Sequence, residues 1–430
     1  MENKTLSKLP YKGTTDIYPE QMYIRNYLFN VWEKVARQFG YEEYDTPYIE
    51  EAALYRVKSG DDIANNQLYS FVDKGGREIA LRPEMTPSLA RLIAAKKNEL
   101  TLPIRWFNIG RYYRYEKPQR GRTREFVQLN LDILGVPTIQ AELDVLQYIN
   151  AVMEELKAPK DTYELRINNR YLLDYLFDEI LNLDEDKKGK VGRAIDNYLK
   201  LSSTDFNLYL EEIGLDKEQV EKVLKFLTLT LDDLKDIDCR GAKELTELFD
   251  KAKQLSIGNL KFSPYIMRGL QYYTGTVVEA YDIGSQENPR ALFGGGRYDD
   301  LLSIFGQEKL PAFGIGWGDV TTLDYLSTYN LLPELKTDIK VFVTLMDDSL
   351  YNESSNITKY LREKGINTQM QLVSTKLSNQ LKYASKKEIP WVVIIGEEEK
   401  SKDVIQLKDM NTRESLLLKK EEIIERILSN

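Results

Sequence analysis

The sequence contains no histidine and a single cysteine, Cys239, in 430 residues. Without histidine, the side chain most often used as a general base near neutral pH is missing. One cysteine excludes an intramolecular disulfide, and the two shortages together exclude a zinc site built from Cys and His. Any metal must then sit on carboxylates and phosphates, which points to Mg²⁺ or a similar hard cation. No apolar run approaches the roughly 18 residues of a membrane span, and residues 1–9 are polar with no secretory-signal pattern. The expected compartment is cytoplasmic, with no membrane partner.

What is present is a globular composition, 42% hydrophobic and 30% charged, on a chain too long for one core, so two or three domains are expected. A net charge of −9 counts against a nucleic-acid partner for the molecule as a whole, because phosphate contacts dominate such binding. Local charge matters more than the sum. In residues 105–135 (RWFNIGRYYRYEKPQRGRTREFVQLNLDILG), two segments of alternating apolar and polar residues flank a loop containing Pro118 and Gly121, a hairpin signal. Arg111, Arg114, Lys117, Arg120, Arg122 and Arg124 lie on it, with Glu116, Glu125 and Asp132 among them. Forked cation donors beside acceptors suit a polyanion that also carries an amine. A solvated hairpin laced with surface ion pairs would show the same charges.

Elsewhere Ile24, Tyr27, Leu28, Val31, Trp32, Val35 and Phe39 recur at helical spacing up to Gly40, followed by an extended segment, 41–50, containing Pro47. A hairpin over 68–81 runs into Leu81-Arg82-Pro83-Glu84-Met85-Thr86 and a helix over 88–98. A further helix is expected over 138–156. From about 171 to 257 the composition turns to Leu, Lys, Asp and Glu at helical spacing. Residues 265–298 hold Arg268-Gly269-Leu270-Gln271-Tyr272-Tyr273-Thr274-Gly275 and then Gly294-Gly295-Gly296-Arg297-Tyr298-Asp299, where glycines allow either a ligand or a neighbouring strand to approach closely. A glycine-rich strand entering a helix spans 311–321. Beyond the break at Leu332-Pro333, strands alternate with helices from about Asp338 onward, implying a small α/β sheet.

Taken together these strings resemble the histidyl-tRNA synthetase family of class II synthetases, over nearly the whole chain. The resemblance implies an α+β fold: an antiparallel class II sheet core flanked by helices, with a helical insertion and a C-terminal α/β anticodon-binding domain. The implied divisions are 1–165 and 259–332 for the core, 166–258 for the insertion and 338–430 for the anticodon-binding domain. It implies that Arg114 grips the ATP α-phosphate with Arg268 as a further cation, that Glu116 reads the adenine amine and that Phe126 stacks on the base. Glu84 and Thr86 would meet the ammonium of L-histidine. Gln128, Asp132, Tyr272, Tyr273 and Tyr298 would form the rest of its pocket, with Arg268 alongside. Lys117, Gln119 and Arg120 would face the acceptor end of tRNA(His), and the first helix and strand would belong to a homodimer interface.

Three positions depart from the family pattern. Asp132 stands where Glu is usual, one methylene shorter. Gln271 replaces an Asp, and Thr321 stands where an arginine on the ATP γ-phosphate is expected, a job that Arg122 is placed to take. The implied activity is histidine–tRNA ligation with ATP as substrate and Mg²⁺. The competing readings are a synthetase-like regulatory subunit of an ATP phosphoribosyltransferase, which lacks the anticodon-binding domain, and a sister ligase for threonine, proline or glycine.

Overall fold

Leu28, Val31, Trp32 and Val35 share one buried stripe, and the helix Pro19–Gln38 forms around them, with proline in its first turn and Gly40 at φ +75° just past its end. This is the first element of a computed structural model that describes residues 6–57, 66–267, 272–285 and 291–428. The chain divides into two units, Met1–Pro333 and Glu334–Asn430.

In the first unit β1 (Glu42–Glu43) and β2 (Ile49–Glu51) are separated by the segment holding Pro47, and β3 (Ser70–Val72) and β4 (Glu78–Leu81) form the expected hairpin. β2 pairs with β4 to make a small three-stranded sheet. The helix that follows is Thr86–Lys96, two residues earlier than its periodicity suggests. β5 (Ile104–Tyr113) and β6 (Glu125–Leu134) then pair from Ile104↔Leu134 to Tyr113↔Glu125. The helix Gln140–Glu155, β7 (Tyr163–Asn169), β8 (Leu260–Phe262), β9 (Thr276–Asp282), β10 (Ala291–Arg297) and β11 (Ala312–Gly318) complete the large sheet, and β11 enters the helix Asp319–Thr328.

The sheet order is β1-β5-β6-β11-β10-β9-β7-β8. Its six central strands are antiparallel, and only the short edge pairs β1/β5 and β7/β8 are parallel. Period two decides its faces. Phe107, Leu129, Leu131, Ile133, Phe313, Ile315 and Trp317 point to one side and join Trp32, Val35, Leu146 and Ile149 in one core. Trp317 stacks on Phe293 at 3.8 Å and leans on Trp32 at 6.0 Å. Each such side chain contributes about 1.5–3 kcal/mol on burial.

The helical stretch begins at Arg170, so β7 runs across the boundary expected at 165/166 and belongs to the large sheet. Its Leu172, Leu173, Leu245 and Leu248 share the core of the sheet. Gly241 permits this packing locally, since a Cβ there would lie 2.3 Å from the Leu172 backbone nitrogen.

The second unit carries β12 (Val341–Val343), β13 (Thr368–Met370), β14 (Trp391–Ile394), β15 (Ile405–Asp409) and β16 (Ser415–Leu418) in the order β13-β12-β14-β15-β16. Alternate residues of β12 serve its two faces: Val341 and Val343 pack with Ile357, Leu361 and Ile423, and Phe342 packs with Ala384 and Ile389. Among the described residues no helix is long and apolar enough to cross a membrane.

Candidate functional site

If the odd face of the β5–β6 pair is core, the even face must carry the site. Phe126, Gln128, Asn130 and Asp132 stand in a row along β6, and the residues opposite them on β11 are Gly318, Gly316 and Gly314 for the last three. These glycines are cut-outs. A Cβ on Gly314 would lie 1.9 Å from Asp132 Oδ1, and one on Gly316 2.3 Å from Gln128 Nε2. The polar side chains therefore lie across the neighbouring strand, where any larger residue would push them into the space above the sheet.

That space is a cleft of about 750 Å³. It is lined by Glu84, Thr86, Arg114, Glu116, Arg122, Phe126, Gln128, Asp132, Tyr272, Tyr273 and Tyr298, so eleven of the residues anticipated from the sequence converge on it. Thr321 lines it as well. Lys117, Gln119 and Arg120 do not; they are exposed on the β5–β6 loop, where Arg120 Nη2 lies 3.0 Å from Asp324 Oδ1. Arg268 and Gln271 lie outside the described residues.

Asp132 and Glu84 are the two most buried carboxylates that line the cleft. The Tyr298 hydroxyl donates to Asp132 Oδ1 at 2.5 Å, across 166 positions of sequence. Burial pushes the Asp132 carboxyl up to about 7, against the opposing pull of that hydrogen bond. Tyr298 is held in place from beneath by its neighbour Arg297, whose guanidinium is buried against Glu142 (2.5 Å) and donates to the carbonyls of Val136 and Thr138. At the other end of the pocket the Tyr272 hydroxyl donates to buried Glu84 at 2.9 Å, and the Tyr272 ring sits 4.9 Å from Tyr273 and 6.0 Å from Tyr298.

Gln128 is oriented by a chain of donors. Its Nε2 donates to Asn130 Oδ1 (2.7 Å), Asn130 Nδ2 to the Tyr112 hydroxyl (2.8 Å), and that hydroxyl to Asn108 Oδ1 (2.9 Å). Asn108 in turn donates to the Tyr44 carbonyl and to Asp45, and Asp45 also accepts from Nη1 of fully buried Arg82 at 2.7 Å. With its amide nitrogen committed, Gln128 has its oxygen left as an acceptor. Sequence reasoning missed Asn130 and this chain beneath it. Period-two alternation along β6, which puts Gln128 and Asp132 on one face, would have found Asn130 between them.

At the loop end of the cleft, Arg114 Nε donates to the Pro83 carbonyl (3.0 Å) and its guanidinium lies 5.2 Å over the Phe126 ring. A cation is thus fixed next to an aromatic face. Arg122 Nε sits 3.3 Å from Glu116 Oε2. The helix start after β11 carries no arginine. Thr321 spends its hydroxyl on the Leu292 carbonyl at 2.8 Å, and Asp319 accepts from the Val127 amide at 3.0 Å while paired with Arg25. Glu279, which was also missed, lines the far side with Arg166 and Tyr281, and accepts from the Tyr281 hydroxyl at 2.5 Å. No group of three or more potential metal-ligating side chains occurs among the described residues.

The Histidyl-tRNA synthetase family model matches residues 13–317, and an Anticodon binding domain model matches residues 340–430. The Histidine--tRNA ligase of Leptospira biflexa serovar Patoc is 41% identical over 99% of this chain and 99% of its own length. The chloroplastic/mitochondrial Histidine--tRNA ligase of Arabidopsis thaliana is 36% identical over 97% of this chain and 86% of its own. Among solved structures, the histidyl-tRNA synthetase from Nostoc sp. PCC 7120 superimposes with a TM-score of 0.81 at 26% identity, covering 98% of this chain and all of that one.

Proposed function

The chain belongs to the histidyl-tRNA synthetase family, and from that premise we propose how its cleft performs the chemistry. The activity is histidine–tRNA ligation: histidine is joined to AMP at the expense of ATP, and the acyl group then passes to the tRNA. Histidine lies along β6 with its ammonium at Glu84 and Thr86, its imidazole between Asp132 and Tyr298, and Tyr272 and Tyr273 as the wall. Gln128 offers an acceptor between the two ends. ATP lies at the loop end, with its adenine on Phe126 and its amine facing Glu116.

Arg114 and Arg268 neutralise the α-phosphate while a histidine carboxylate oxygen attacks the phosphorus in line. The new O–P bond forms as the bond to pyrophosphate breaks. In the second step the terminal ribose hydroxyl of the tRNA attacks the acyl carbon, and AMP leaves with its phosphate taking the hydroxyl proton. No histidine is present to move protons, so rate enhancement comes from positioning and from cations preset where charge develops. The oxygen-only donors of the cleft suit Mg²⁺: Glu279 and the ATP phosphates would hold it, and it would supply further neutralisation of phosphate charge.

Asp132 sets the choice of amino acid. An imidazole N–H adds a donor to a buried carboxylate that any aliphatic side chain would leave with the Tyr298 hydroxyl alone, and sites of this kind discriminate by factors on the order of 10⁴. The exposed loop residues Lys117, Gln119 and Arg120 meet the tRNA acceptor end, and the unit from Glu334 onward reads the anticodon. Two copies pair through the region of β2–β4, where Tyr48, Ile49, Val57, Phe71 and Val72 are exposed apolar side chains of the kind interfaces cover. The cytoplasm is the place of action.

The observation that carries this reading is the Asp132–Tyr298 pair lying over Gly314 in a cleft that also holds Arg114, Glu116 and Phe126. It is tested by amino-acid-dependent ATP–pyrophosphate exchange, with histidine run beside threonine, proline and glycine and with Arg268→Ala as control. Exchange with histidine alone, lost in the control, is expected. A folded protein that exchanges with none of them, or as well with another amino acid, overturns it.

A further inference from the structure

Tyr44 has a feature that the proposed chemistry leaves unexplained. Its hydroxyl is buried and has no hydrogen-bond partner among the described residues. The residue as a whole is half-buried and its side chain packs against the cluster that contains Tyr112, Tyr272 and Tyr298. Apolar packing alone would be better served by phenylalanine, because a buried hydroxyl without a partner is destabilising.

The position of the ring suggests what the hydroxyl is for. The backbone of Tyr44 is tied to β5, its amide donating to the Phe107 carbonyl at 2.9 Å and its carbonyl accepting from Asn108 at 2.8 Å. Its ring centroid is 5.4 Å from that of Trp106, and Trp106 stands directly opposite Asp132 in the β5–β6 register. Tyr44 therefore sits beside the cross-strand pair that contains the pocket carboxylate. Burial, and after it the neighbouring Asp132 carboxylate, holds the Tyr44 hydroxyl well above the ordinary phenol range. On the other side of Asp132, Tyr298 occupies Oδ1, with Tyr272 behind it.

We infer that Tyr44 is a positioning residue of the histidine pocket, whose hydroxyl donates to the second carboxylate oxygen of Asp132 when an imidazole occupies the cleft. Asp132 is then held ionised between two phenol donors, one from each side of the sheet's active face. This compensates for a carboxylate one methylene shorter than the family's usual glutamate. The inference rests on the reading of Asp132 as the imidazole acceptor.

The test is histidine-dependent ATP–pyrophosphate exchange by the full chain and its Tyr44→Phe, Asp132→Asn and double variants, measured across pH. Phenylalanine keeps the ring on Trp106, and an unchanged KM for ATP shows that the cleft is intact. Tyr44→Phe should raise the KM for histidine by about tenfold or more, as expected for loss of one hydrogen bond to a charged group. It should also move the acid limb of kcat, which reports the histidine-bound enzyme, to higher pH, because losing a donor favours the neutral carboxyl. In the Asp132→Asn background the same change should have no further effect. If Asp132→Asn impairs histidine use but Tyr44→Phe changes neither KM nor pH profile, the role of Tyr44 is overturned and the pocket stands. If Asp132→Asn leaves the histidine KM unchanged, the pocket reading falls and this inference with it. An effect of Tyr44→Phe that persists undiminished in the Asp132→Asn background also overturns the role of Tyr44.

Discussion

Arg122 and Glu116 are paired in the cleft, Nε to Oε2 at 3.3 Å, with half of the arginine side chain in solvent. A pair this exposed is weakly held, within about 1 kcal/mol, so it opens readily for a competing ligand. The adenine amine can take the carboxylate while the guanidinium turns to the phosphates, replacing the cation that Thr321 does not supply. Arg122→Ala should then raise the KM for ATP about tenfold, the equivalent of one charge-assisted hydrogen bond, and leave the KM for histidine alone. Steady-state exchange kinetics at varied ATP check this, and an unchanged ATP KM would sink it.

Asp132 also links function to stability. Its carboxyl is raised to about 7 in the folded protein by burial, whereas the unfolded chain titrates near the ordinary value of about 4. The folded state thus binds the proton more tightly, so this group's contribution is fully present below about pH 4 and is lost as pH rises to about 7. Asp132→Asn should stabilise the protein at pH 8 by up to about 4 kcal/mol, with the gain vanishing near pH 4. Urea denaturation at both pH values measures it. Equal shifts at the two pH values would refute the assignment.

Gly314 should tolerate no side chain. A Cβ would lie 1.9 Å from Asp132 Oδ1 and 3.1 Å from the Leu131 carbonyl, so relief requires moving a short, buried carboxylate. Gly314→Ala is expected to reduce kcat/KM for histidine by a factor on the order of 100, since a misplacement of about 1 Å is known to have effects of that size. Gly316→Ala meets the end of the longer Gln128 side chain, which can swing away, and should have a smaller effect. The comparison is made by exchange kinetics, and the opposite ranking would contradict the geometry.

Arg297 and Glu142 form an ion pair whose side chains are 3% and 1% exposed. Neither lines the cleft; they hold the end of β10 so that the next residue, Tyr298, reaches Asp132. Removing one partner strands a buried charge, so Glu142→Ala should destabilise the first unit by about 3–5 kcal/mol. A change below about 1 kcal/mol by urea denaturation would show that the pair is not a structural tie.

Elements governed by short-range pattern were legible from the residues alone. The alternation in residues 105–134 reports both strands of the hairpin, whereas Phe126, Gln128 and Asp132 were singled out only through the family resemblance. Spacing of three and four reports the helix Pro19–Gln38. The absence of histidine and the near absence of cysteine already confined the chemistry to arginine, carboxylates and phosphate-bound metal. Boundaries were less secure: β7 extends the sheet past residue 165, because pairing with β9 fixes its length and composition does not.

Relations between distant segments were decided by tertiary structure. Tyr272 reaches Glu84 across 188 positions, and Arg25 reaches Asp319 across 294. Nothing local encodes such pairs; they follow from the strand order β6-β11-β10, which sets Gly314 opposite Asp132 and brings Tyr298 to its side. The role of Thr321 was hidden for the same reason. A substitution that looks like the loss of a cation becomes, in the fold, a hydroxyl on the Leu292 carbonyl. Residue types and their periodicity determined which groups this protein has available, and the register of the sheet determined which of them meet, because hydrogen-bonded pairing joins residues without regard to their separation along the chain.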